Sequence, residues 1–121
     1  MINTAMTLKD FFSGFDLPAY AESNIPDDVV LPYITFQLIE PEWSEQAPYH
    51  AQVWYRKNHL GELLAKADQI VGAIHQGAVF ENDAGYVVLY PATPLIQVLT
   101  DEDSERAYIS LMINAYHMPG N

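Results

Sequence analysis

Residues 106–116, RAYISLMINAY, decide the fold. Ala107, Ile109, Leu111, Ile113 and Ala115 alternate with Arg106, Tyr108, Ser110, Met112, Asn114 and Tyr116. A period of two is what a strand shows when one face lies in the core and the other is mixed. Just upstream, Thr100, Asp101, Glu102, Asp103, Ser104 and Glu105 form the densest acidic run. Their spacing hints at calcium, but the central Gly and distal Glu of an EF-hand loop are missing, so the run reads as a solvated turn into the final strand.

Further upstream, Leu95 to Leu99 reads as another strand. Pro91 and Pro94 cannot donate to a ladder and require an edge, a bulge or a bend before it. Ala78 to Glu81 and Tyr86 to Tyr90 flank Asn82, Asp83, Ala84 and Gly85, a four-residue hairpin loop. From about His59 to His75, Leu60, Leu63, Leu64, Ala67, Ile70, Val71 and Ile74 recur at the spacing of one helical face. Asn58 is the expected N-cap and Gly77 the expected stop. Burying that face is worth roughly 10 to 15 kcal/mol at most, so Ile70→Asp is expected to unfold the domain.

Before the helix, Tyr33 to Ile39 and Tyr49 to Arg56 read as an antiparallel strand pair. Ile34, Phe36 and Leu38 would share one face against Thr35 and Gln37, and Ala51, Val53 and Tyr55 oppose Gln52, Trp54 and Arg56. Pro41, Glu42, Trp43, Ser44, Glu45, Gln46 and Pro48 suit the loop between them. At the N-terminus Thr7 is the expected cap of a short helix with Leu8, Phe11, Phe12 and Phe15 on its apolar side, Asp10 in its first turn, and Gly14 and Pro18 at its end. Residues 17–32, with three prolines, read as an irregular arm. The expected fold is a single α+β domain over 1–121: a mostly antiparallel sheet of about four to six strands on one long amphipathic helix, near 59–76, plus a short N-terminal helix.

Composition narrows function. Sixteen Asp+Glu against five Lys+Arg give a formal charge of −11, which repels nucleic-acid phosphate. The cations Lys9, Arg56, Lys57, Lys66 and Arg106 are scattered. With no cysteine, disulfides, thiolate metal sites and Cys nucleophiles are excluded. The N-terminus lacks a basic-then-apolar leader and no apolar run reaches the length of a membrane span, so a soluble protein made in the cytoplasm is expected, without membrane or specific nucleic-acid binding.

Catalytic signatures are missing. The sequence contains no phosphate loop, dinucleotide fingerprint, nucleophile elbow or HExxH. His50, His59, His75 and His117 have no short metal-ligand spacing. No catalytic residue, metal or cofactor is therefore expected. The aromatic residues are more informative: Tyr49, Trp54, Tyr55, Tyr86, Tyr90, Tyr108 and Tyr116 lie on expected strands. Two readings fit them, cross-strand pairing on a pleated surface and a subunit interface. The candidate interface set is Trp54, Arg56, Lys57, Tyr86, Tyr90, Arg106, Tyr108 and Tyr116.

Three stretches together carry a resemblance: Leu31 to Leu38 (LPYITFQL); Val53, Trp54, Tyr55 and Arg56 leading into the amphipathic helix; and Pro94 to Val98 (PLIQV) followed by the acidic turn and long last strand. In this order, over about residues 30 to 117, the chain resembles the tail-completion or tail-terminator proteins, minor tail proteins of siphophages and prophages. The resemblance rests on order and length rather than on any one motif. It implies a non-enzymatic virion subunit, made in the bacterial cytoplasm, that forms a homohexameric ring. The ring would cap the tail tube, meet the head-tail connector protein on its other side, and present carboxylates to passing DNA. Two other classes also fit the composition: an acidic inhibitor that mimics DNA, and a small ferredoxin-like enzyme or ligand-binding domain with a pocket between sheet and helix.

Overall fold

The computed structural model describes residues 4–39, 46–75, 77–82 and 85–117. In chain order they form α1 (Thr4–Phe12), a 3-10 turn (Ser13–Phe15), β1 (Ala19–Ala21), β2 (Tyr33–Phe36), β3 (Gln46–Arg56), α2 (Leu60–Ile74), β4 (Ala78–Asn82), β5 (Gly85–Thr100) and β6 (Ser104–His117). The strands make one six-stranded sheet in the order β1-β2-β3-β6-β5-β4. The strand of alternating residues, β6, is therefore central, and Ala107, Ile109, Leu111, Ile113 and Ala115 are all buried as their parity demands. Opposite them on β3 lie Ala51, Val53 and Tyr49, also buried.

Both helices cover this one side of the sheet. Leu63, Ala67, Ile70 and Ile74 of α2 are fully buried, and the helix packs on β6, β3 and β5. From α1, Phe12 stacks on Phe36 with ring centres 5.4 Å apart, while Phe11 meets Phe80 of β4 edge-on at 5.0 Å. Lys66 donates to the Phe15 carbonyl at 2.7 Å, tying α2 to the 3-10 turn.

The fold is α+β, as expected, but the sheet is mixed. β1 runs parallel to β2, pairing Ala19 with Ile34 and Ala21 with Phe36, whereas every other neighbour is antiparallel. The segment 17–32 is thus not an irregular arm throughout. Pro18 accepts from the Ile34 amide at 2.8 Å and Phe36 from the Glu22 amide at 2.9 Å, which fix it to the sheet. The principal helix is 15 residues, shorter than 59–76. Asn58 has φ 71°, a left-handed turn residue and not the N-cap; His59 takes that place without a side-chain capping bond. Leu60, at the helix start, stays 47% exposed. Gly77 ends the segment as expected, with φ 93° and its amide donating to Ile74 at 2.7 Å.

Other boundaries move as well. Thr7 lies inside α1, and the helix has no acidic residue in its first turn, so Asp10 plays no such part. Gln46 and Pro48 belong to β3; residues 41–45 of the expected loop lie outside the described residues. Leu38 is exposed beyond the end of β2. Asn82 pairs directly with Gly85, leaving two residues in the hairpin connection rather than four. The prolines do produce the expected irregularity: the β5–β6 register shifts between Pro91 and Ile96. The acidic run is a turn, closed by the Asp101 amide on the Ser104 carbonyl at 2.8 Å.

Candidate functional site: the open face of the sheet

With both helices on one side, no described element packs on the other. Register fixes what that open face carries, because directly paired residues share a face. Tyr33 pairs with Trp54, and Trp54 with Arg106; Gln52 pairs with Tyr108, His50 with Ser110, Tyr116 with Tyr86, and Met112 with Tyr90. An aromatic band results. Tyr20 meets Tyr33 edge-on at 6.0 Å, and Tyr33 stacks on Trp54 at 5.9 Å. The Arg106 guanidinium carbon lies 4.8 Å from the centre of the Trp54 ring. Farther along, His50 stacks on Tyr108 at 4.8 Å and Tyr86 on Tyr116 at 4.9 Å.

Hydrogen bonds hold these rings in place. The Trp54 indole donates to the Thr35 hydroxyl at 2.9 Å, which satisfies a polar group only 1% exposed. The Tyr90 hydroxyl donates to Asn114 Oδ1 at 2.8 Å, and Asn114 Nδ2 donates to the Tyr116 hydroxyl at 3.3 Å. The Gln37 side chain accepts from the His50 amide at 3.2 Å, while its carbonyl accepts from the Tyr49 hydroxyl at 2.7 Å. Burial pushes the Tyr49 phenol well above its ordinary range, with Glu22 adding to the rise.

The charge distribution is unusual for a chain of −11. On the open side of β2, β3, β6 and β5, no described position is Asp or Glu, and Arg56, Arg106 and His50 are present. Carboxylates stand at its margins. Glu22, at the end of β1, meets His50 Nε2 at 2.7 Å; Asp101 lies 3.9 Å from Arg106; Glu81 is on edge strand β4 opposite Tyr86. The relief is shallow. A hollow of about 300 Å³ lies between His50, Tyr108, Ser110, Met112 and Thr93. Among the described residues no three His, Asp or Glu side chains gather as metal ligands, and no helix is long and apolar enough to cross a membrane.

Of the eight sequence candidates, Trp54, Arg56, Tyr86, Tyr90, Arg106, Tyr108 and Tyr116 fall on this face, with Arg56 at its exposed end. Lys57 does not; it is in the exposed turn after β3, its amide donating to the Asp103 carbonyl. Tyr20, Tyr33 and His50 were missed. Tyr33 was accessible from parity, since it precedes core-facing Ile34 as Trp54 follows core-facing Val53, but Tyr20 depends on the unforeseen β1. No family model matches the chain, and no curated protein matches it significantly.

Proposed function

We propose that the chain is a structural subunit of a phage or prophage tail, ending the tail tube and joining it to the head connector as a homo-oligomeric, hexameric ring. The observation that carries this reading is the open face, where a strongly acidic protein withdraws its carboxylates from four strands and lays out an ordered band of Tyr, Trp, His and Arg. Such a surface suits docking: Tyr, Trp and Arg dominate interface energetics, and charge is depleted at interface centres. Its rings are fixed before any partner arrives, so little side-chain entropy is lost on contact. Neighbouring subunits, the tube protein and the connector are the partners the reading assigns.

The acidity fits the same role. A ring of such subunits repels DNA, and a conduit that does not bind its cargo lets it pass. The test is genetic and structural. In a lysogen whose prophage encodes the chain, its deletion is expected to yield filled heads and unattached tails of uncontrolled length, and antibody labelling should mark the head-tail junction. Normal infectious particles lacking the chain would refute the proposal.

A further inference from the structure

The sheet ends in two open edges, and they complement one another. β5 is 16 residues long, but β4 pairs with it only as far as Leu89. Beyond the register shift, Ile96 to Thr100 have β6 on one side and no described strand on the other. Unpaired edges are ordinarily blunted by charge; here residues 84 to 100 contain no charged side chain. Val98 and Leu99 are 40% and 39% exposed.

At the opposite edge, three-residue β1 pairs, among the described strands, with β2 alone. Beside it is a hollow of about 410 Å³, lined by Tyr20, Ala21, Asn24, Pro26, Phe36 and Leu38, with Lys9 also in its wall. Ala21 pairs with core-facing Phe36 and Val98 with core-facing Ala107. A β5 strand added beside β1 therefore turns Val98 to the face that carries Ala21 and Phe36, both of which line the hollow. Direction agrees as well. β1 runs with β2, β2 against β3, β3 against β6 and β6 against β5, so a sheet continued in the same sense meets antiparallel, the more stable pairing.

We infer that the distal half of β5 pairs with the β1 edge of a second copy, Val98 entering the hollow beside β1 and the Asp101–Asp103 turn reaching Lys9. The occupant is a second copy because this chain supplies both halves, and because charge matches. Lys9 has no carboxylate partner among the described residues, and the acidic turn begins three residues past Val98, about 10 Å along a strand. Pairing of unlike edges is head-to-tail, the contact type that gives a ring when the rotation between copies closes and an open filament when it does not. This rests on the ring reading above; it assigns the contacts between copies to the edges and leaves the open face to tube or connector.

The chain has no cysteine, so single thiols report cleanly. Ala21→Cys and Val98→Cys are prepared separately, mixed at assembling concentration and treated with a short bis-maleimide, whose reach tolerates a shift of register. The mixture should give covalent dimers, each variant alone should give none, and the double variant should give a ladder. Val79→Cys, on exposed β4, is the control and should not link. Adding Lys9→Glu should reduce linking of the mixture several-fold. Linking of Val98→Cys to itself as well as to Ala21→Cys, or oligomers without the mixed link, would overturn the edge pairing. A chain found at the head-tail junction but giving no mixed link would remove this interface and leave the tail reading standing; mixed links in a chain absent from tails would do the reverse.

Discussion

Arg106 lies over Trp54, its guanidinium carbon 4.8 Å from the ring centre, and the two are direct partners across β3 and β6. Tyr33 stacks on Trp54 from β2, so three strands are joined through one indole. Arg106 Nε is buried with no hydrogen-bond partner among the described residues, which makes the cation–π contact and nearby Asp101 its compensation. Replacing Trp54 by Phe keeps a ring but removes the donor to buried Thr35. The expected loss is about 1 to 3 kcal/mol, the cost of leaving a buried polar group unpaired. Arg106→Lys, which gives up the guanidinium's contact with the indole, should cost about 0.5 to 1 kcal/mol. Urea denaturation of the two variants measures both, and a loss well under about 1 kcal/mol for Trp54→Phe would deny the indole its bond.

Two glycines separate space from backbone strain. A Cβ on Gly72, within α2, would meet nothing within 4 Å, and one on Gly77 would meet Leu89 and Val88 no closer than 3.9 Å. Sterics therefore permit alanine at both. The backbone does not, because Gly77 sits at φ +93°. Gly72→Ala should stabilise by about 0.5 to 1 kcal/mol through helix propensity and loss of unfolded-state entropy, whereas Gly77→Ala should destabilise by about 1 kcal/mol or more. Thermal unfolding checks the opposite signs.

What the sequence revealed follows from the range of the interactions responsible. Alternation in β6 and β3 and the three-and-four spacing of α2 are local, so Ile109, Val53 and Ile70 announced their burial. β1 announced nothing: three residues, Ala19 to Ala21, between prolines and acids become a strand only because β2 returns beside them, with Pro18 accepting from Ile34. The same non-local origin hid Tyr20. Asn58 read as a cap because Asn caps helices, yet Asn also tolerates the left-handed conformation, and that property decided its place. Most of the aromatic face was legible because strand parity carries it. Lys57, in the candidate interface set, lies one residue past the strand that would have set its direction.

Alkaline pH should weaken the fold through Tyr49. Burial raises its phenol above the ordinary value of 10.0, so the folded state holds the proton more tightly than the unfolded chain. That contribution is complete below pH 10 and declines as pH rises beyond it, by up to about 1.4 kcal/mol per pH unit for one tyrosine. Burial shifts Tyr33 and Tyr55 in the same direction. Tyr49→Phe should lose about 1 kcal/mol at neutral pH, with its bond to Gln37, and should unfold less steeply between pH 10 and 12. Chemical denaturation at stepped pH gives the slope, and an unchanged slope in the variant would assign the loss to other groups.

Salt should favour association. Each copy brings a formal charge of −11, and neighbours repel over a Debye length that falls from about 30 Å at 0.01 M to about 8 Å at 0.15 M ionic strength. The attractive elements at the edges are short-ranged: backbone pairing, Val98 in its hollow, and one Lys9 against the turn. Screening therefore removes more repulsion than attraction, and sedimentation should show larger oligomers at 0.15 M than at 0.01 M. Asp101→Asn with Asp103→Asn would separate the two contributions. If general repulsion governs, this variant assembles better at low salt and gains less from added salt; if the contact with Lys9 governs, it assembles worse at every salt concentration, as does Lys9→Glu.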